Sequence, residues 1–211
     1  MNNLDNAKHI LPVGKLPAEL LARLLEKAPS VDPRVILGPG VGLDCAVIDD
    51  GDKFLVFKSD PITFATDQVG WYAVQVNCND IATTGATPVW FLATILLPEK
   101  HATAKMAEEI LTQVFDACKT IGVAVIGGHT EITFGIERPI VVATMVGEVA
   151  RERLVTPRGA TPGDRILLSK GVPIEATSIL ARELPDRLRD FLDEVELRQA
   201  EMFLFEPGIS I

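Results

Sequence analysis

Three aspartates, each at the edge of an apolar run, carry the most readable chemistry in this chain. Asp44 sits in Gly38-Pro-Gly-Val-Gly-Leu-Asp44-Cys-Ala46, Asp60 in Ser59-Asp60-Pro61 and Asp80 in Asn77-Cys-Asn-Asp80-Ile-Ala82. Carboxylates are hard oxygen donors, and Mg²⁺ is commonly held by one or two of them together with the phosphates of a substrate. These three lie too far apart in sequence to form a local metal loop, so the fold must bring them together. Taken singly, each also fits a surface or capping aspartate, Asp60 before Pro61 especially.

Two glycine-rich blocks offer bare backbone. Gly38 to Gly42 could cradle phosphate with its N–H groups. It lacks the Gly-Lys-Ser/Thr of a Walker A loop, and a strand rather than a helix follows it, unlike a dinucleotide fingerprint; alone it reads as a turn. Gly127-Gly128-His129-Thr130-Glu131 is expected to end a strand, where a backbone can approach a ligand closely, or simply to turn. His129 could contact phosphate or act as a base near neutral pH, and Glu131 is equally ambiguous. A histidine in a polar loop is as well explained as a solvated side chain.

The 211 residues, 47% of them hydrophobic, suffice for one large domain or one domain and part of another. A net charge of −9 with no basic cluster excludes a phosphate-backbone track, so no nucleic-acid partner is expected. No apolar run approaches the ~20 residues of a membrane span, and the N-terminus lacks a signal-peptide pattern, so no membrane association and a cytoplasmic location are expected. Cys45, Cys78 and Cys118 show no metal-ligand spacing and read as apolar fillers.

The elements that must position these residues follow from periodicity. Leu16 to Lys27 and Ala102 to Ile121 repeat apolar residues at helical spacing, the second stopped by Gly122. Val69 to Thr84 also reads as a helix. Cys45 to Ile48 and Lys53 to Lys58 are strands joined by a hairpin turn at Asp49-Asp-Gly-Asp52. Val89 to Leu97, Val123 to Ile126 and Ile140 to Val149 are further strands, with Gly127 to Gly135 as a long connection. Beyond a boundary near residue 150, a strand is expected over Ile166 to Ser169 and helices over Ile174 to Leu184 and Leu188 to Phe203. Asp193, Glu194 and Glu196 read as a solvated helix face. Trp71, Trp90, Phe91 and Phe64 read as core or dimer surface. With few elements beyond residue 150, Ile174, Ile179, Leu180, Leu184, Leu192, Val195 and Phe203 are expected to stay partly exposed. The fold class is α+β, a mixed or antiparallel sheet with helices on one face.

In this order the blocks resemble the aminoimidazole ribotide (AIR) synthetase superfamily, which includes thiamine monophosphate kinase, selenophosphate synthetase and the hydrogenase-maturation dehydratase. Gly42-Leu-Asp44-Cys-Ala-Val47 is similar to the family's Gly-x-Asp-Asp-x-Ala-Val. Ser59-Asp60 matches its Thr-Asp, and Asn77-Cys-Asn-Asp80-Ile-Ala-Thr-Thr-Gly85-Ala86-Thr-Pro88 its most specific block. Gly127-Gly-His129-Thr130 matches its Gly-Gly-Asp/His-Thr/Ser. The nearest branch is the AIR synthase-related group beside the hydrogenase-maturation protein.

The resemblance implies an ATP-binding N-terminal domain over residues 1–150 and the start of an α/β C-terminal domain over 151–211, with the family's second domain running on well past the point matching Ile211. It implies Asp44, Asp60 and Asp80 as Mg²⁺ ligands, with Gly42, Asp60, Asn77, Gly127, Gly128, His129 and Thr130 on the nucleotide side. It implies ATP and Mg²⁺ as cofactors, a homodimer paired through the sheet, and attack of a small-molecule or protein thiol or amide substrate on the γ-phosphate. Leu43 replaces the first of the paired aspartates. The alternative reading is a non-catalytic nucleotide-binding or interaction module.

Overall fold

The computed structural model describes residues 10–29 and 32–211. Its centre is a six-stranded sheet in the order β1-β2-β3-β6-β4-β5. The strands are β1 (Val35–Leu37), β2 (Ala46–Asp49), β3 (Lys53–Ile62), β4 (Thr87–Pro98), β5 (Ala124–Thr133) and β6 (Ile140–Ala150). Every neighbouring pair is antiparallel except β4 and β5, which run parallel. Parallel neighbours need a crossover, and the helix α3 (Ala104–Ile121) supplies it.

Local signals set the boundaries. The hairpin between β2 and β3 turns on Gly51 at φ 81°, with the Asp49 carboxylate accepting the Gly51 N–H. The α3 helix starts at Thr103, whose hydroxyl accepts the Met106 N–H, and stops at Gly122 in the left-handed conformation. A further helix, α1 (Ala18–Leu25), carries no buried residue.

The sheet buries one face. Phe54, Val56, Lys58 and Ile62 on β3, Phe91, Ala93, Ile95 and Leu97 on β4, and Val141, Ala143 and Met145 on β6 point inward at the two-residue period of a strand. They pack under α3 and α2 (Val69–Thr83). The α2 helix is buried nearly all round, from Val69 and Gly70 through Tyr72, Ala73 and Val74 to Cys78 and Ile81. The alternate side chains, such as Leu55, Phe57, Leu92, Thr94 and Val142, are half-buried on the opposite face.

After β6 the chain forms α4 (Ile174–Glu183), a short α5 (Pro185–Leu188) and α6 (Glu194–Met202). Ala181, Leu197 and Ala200 make a small cluster with Leu188. Leu204 joins the main core, and the Phe205 ring meets Trp71 edge-on at 5.2 Å. As expected for so few elements, Leu180, Leu184 and Val195 remain exposed, while Ile174, Ile179, Leu192 and Phe203 are half-buried.

Three expectations are corrected. Gly127 to Glu131 lie inside β5, not in a connection after it: Gly128 pairs with Ala93, and a register shift at Phe91 and Leu92 absorbs the irregularity. The segment Ile166 to Ser169 is not a strand, because no strand of the described residues lies beside it to satisfy its backbone; Ile166 is 99% exposed. The expected helix from Leu188 to Phe203 is interrupted. Asp193 accepts the Val195 and Glu196 N–H groups while Glu196 returns to the Asp193 N–H, a capping box that starts a new helix. The acidic run thus owes its pattern to a helix start. The sheet also gains β1, directly before the glycine-rich stretch Gly38 to Gly42.

A methyl group at Gly128, whose φ is 155°, would lie 2.1 Å from the Ala93 carbonyl oxygen. Gly128→Ala is therefore expected to force β5 away from β4 and lower stability by about 1–3 kcal/mol or more, read as a fall in the denaturation midpoint.

Candidate functional site

The three aspartates converge. Asp44 ends the loop that leaves β1, after Gly42 has turned the chain at φ 76°. Asp60 lies on β3 on the inward face. Asp80 lies near the end of α2. Between them stands the ammonium of Lys58, two residues before Asp60 and therefore on the same face of β3. Its Nζ is 2.9 Å from Asp80 Oδ2, 3.1 Å from Asp60 Oδ2 and 3.5 Å from Asp44 Oδ1, with only 4% of the side chain exposed.

Asn77 fixes the geometry. It is fully buried; its Oδ1 accepts the Asp60 N–H at 3.0 Å and its Nδ2 donates to the Ala73 carbonyl at 2.8 Å. One amide side chain thus clamps the β3 backbone at Asp60 to the helix that carries Asp80. Asn77 acts on Asp60 through the backbone, and its amide is committed within the protein. The Asp80 carbonyl in turn accepts from Thr83 Oγ1 at 2.7 Å and Cys45 Sγ at 3.5 Å.

Electrostatics follow from burial. Desolvation pushes the Asp80 carboxyl above its ordinary value, and nearby Asp44 and Asp60 add to the rise against the pull of Lys58. For Lys58 burial acts downward, and hydrogen bonds to Asp80 and Asp60 outweigh it, so the ammonium is held more firmly than in water. Glu175 on α4 is a fourth carboxylate facing this centre: burial raises it, and the charges of Asp80 and Asp60 raise it further. Asp44, Asp60, Asp80 and Glu175 edge a cleft of about 480 Å³, whose other wall includes Lys15, Ser169 and Ser210. Neither Lys58 nor Glu175 was singled out from the sequence. The alternation that buries Phe54 and Val56 would have placed Lys58 inward as well; Glu175 had no such signal.

The donor chemistry, three carboxylates converging on one point, fits a hard divalent ion. The point itself is taken by an ammonium. Among the described residues no group of three or more histidine, cysteine or acidic side chains is arranged to hold a metal.

Gly127 to Thr130 do not join this centre within one chain. Asp60 pairs with Ala143, Ala143 with Ala93 and Ala93 with Gly128. Three strand spacings, about 14 Å, separate the two blocks. His129 and Glu131 pair with Thr94 and Leu96, on the face of the sheet opposite to the aspartates. There His129 Nε2 and Glu131 Oε2 lie 3.1 Å apart, and that contact holds the Glu131 carboxyl below its ordinary value. The three cysteines are buried and free, as expected; burial pushes Cys45 to about 11 and Cys78 and Cys118 to about 12.

A mixed sheet backed by two helices is a fold shared with proteins of known structure. Thiamine monophosphate kinase from Aquifex aeolicus superimposes over 88% of this chain and 58% of its own, with a TM-score of 0.63 and 23% identity. The chain belongs to the family of AIR synthase related proteins, N-terminal domain, whose model matches residues 42–149. Carbamoyl dehydratase HypE of Cupriavidus necator is 27% identical over 72% of this chain and 44% of its own length. Thiamine-monophosphate kinase of Archaeoglobus fulgidus is 26% identical over 64% and 45%. The chain spans about half the length of the curated relatives it matches. No helix of the described residues is long and apolar enough to cross a membrane.

Asn77→Ala would leave the Asp60 N–H and Ala73 carbonyl unpaired in the core. A loss of about 1–3 kcal/mol is expected in denaturant unfolding, with Asp60→Asn, which keeps the backbone bond, costing less.

Proposed function

We propose that this chain is the nucleotide-binding part of an ATP-dependent enzyme that activates a small-molecule or protein thiol or amide substrate at the γ-phosphate. The observation that supports it most is the convergence of Asp44, Asp60 and Asp80 on one cleft in a chain of this family. Relatives named thiamine-monophosphate kinase and selenide, water dikinase carry ATP-consuming names, and one similar fold is described as complexed with AMPPCP and TMP.

In this reading Asp44, Asp60 and Asp80 would hold Mg²⁺, which neutralises phosphate charge when bound. The chain's own groups do the positioning. Asn77 fixes the backbone at Asp60, and the cleft walls orient what enters. Residues 1–150 form the ATP-binding domain and 151–211 the beginning of the second, in a cytoplasmic protein.

The segment Gly127, Gly128, His129 and Thr130 meets nucleotide from a second copy of the chain, since it lies across the sheet from the aspartates of its own. The proposed homodimer would form at β5, which ends the sheet with one edge unpaired and exposes Val125, Ile126 and Ile132.

Calorimetry with ATP and magnesium is expected to show binding, and Asp80→Asn to weaken it at least about tenfold, ~1.4 kcal/mol, while leaving magnesium-free binding nearly unchanged. No nucleotide binding to the folded protein would sink this reading. Light scattering at micromolar concentration is expected to report a dimer, and Ile132→Lys a monomer that keeps the wild-type circular dichroism spectrum.

A further inference from the structure

Lys58 is an unusual neighbour for a metal site. A lysine on a strand ordinarily reaches solvent, because stripping water from an ammonium is costly. Here β3 turns it inward, and α2 and the loop before β2 close over it. Its three carboxylate contacts come from three separate elements, so the ammonium is what balances their mutual repulsion. One cation already stands at the point on which the aspartates converge. A divalent ion entering there would meet a positive charge within hydrogen-bonding distance of each of its own ligands.

We infer that Lys58 is a built-in cation that holds the place of a divalent metal among Asp44, Asp60 and Asp80, so that the nucleotide-free protein takes up no magnesium at this point. The inference rests on the reading of these aspartates as metal ligands, and it is tested without nucleotide, so the two fail separately. Its consequence is a site that keeps its shape when metal is scarce. The carboxylates are held in place by the chain itself, and metal arrives only when phosphate groups offer the ammonium another partner. Lys58 is thereby a positioning residue for the site.

The test is magnesium titration of nucleotide-free protein by calorimetry, together with thermal unfolding with and without magnesium. Wild type is expected to give no heat of binding at submillimolar magnesium and no shift in its melting temperature. Lys58→Met, which keeps the length of the side chain and removes the charge, is expected to melt lower and to be restored by magnesium. Its magnesium affinity is expected to exceed that of wild type by at least about tenfold, and a second change, Asp80→Asn, to abolish the gain. Lys58→Arg is expected to behave as wild type. Tight magnesium uptake by the nucleotide-free wild type would overturn the inference. So would a folded Lys58→Met variant that ignores magnesium. If Lys58→Met does not fold, the wild-type titration still decides, since submillimolar binding there contradicts a resident ammonium.

Discussion

The helix α2 has almost no solvent face, and the rest of the molecule is arranged around that constraint. Burial on every side requires close approaches that only small residues permit. A side chain at Gly70 would come within 2.5 Å of the Ile110 carbonyl of α3, and one at Gly147 within 2.4 Å of Ile81. Ala73 and Cys78 complete the small-residue surface. The packing fixes how far α2 stands from β3 and β6, and so where Asp80 stands relative to Asp60. Asn77 makes the distance specific. Apolar packing alone tolerates sliding, whereas a buried amide with a donor and an acceptor to satisfy does not.

Upon that frame the site concentrates charge. Three carboxylates around one ammonium leave an excess of negative charge in a half-buried place, and Glu175 adds to it from α4. The cost appears in the raised Asp80 and Glu175 carboxyls. Of the three contacts of Lys58, the one to Asp80 is the most buried, at 22% exposure of the carboxylate, whereas Asp44 at 64% is largely solvated and its contact contributes little. Under the proposed function, such a cleft takes a nucleotide whose phosphates already carry magnesium rather than a bare one.

The chain after β6 is bound to α2 and to the loop before it by specific polar contacts. The Arg182 guanidinium meets Asp67 and the Glu201 carbonyl, and Glu183 accepts from Thr66 and from the Asp67 N–H. Asn79 donates to the Ser210 carbonyl, which places the chain's last residues beside the cleft. These contacts hold Glu175 against the aspartates, although little hydrophobic core supports the segment. Leu180, Leu184, Phe191 and Val195 are left exposed.

Much of the frame was legible because it rests on local rules. Apolar periodicity marked α2, α3, β2, β3, β4 and β6; Gly51 and Gly122 marked their turns through positive φ; Cys45, Cys78 and Cys118 were readable as fillers. The capping box at Asp193 and Glu196 is equally local, and its acidic residues are exposed as a solvated helix face requires. What sequence alone determined was therefore which segments form elements, and which residue types were present to do chemistry. Only the tertiary structure decided what met what. Lys58 lies fourteen residues from Asp44 and twenty-two from Asp80, and their contact exists because β3 and α2 pack face to face. Gly127 and Gly128, legible as a turn, proved to be mid-strand because β4 was available to pair with them, whereas Ile166 to Ser169 found no such neighbour. The backbone's demand for hydrogen-bond partners is met by whichever segment lies alongside, and that is a property of the assembled sheet.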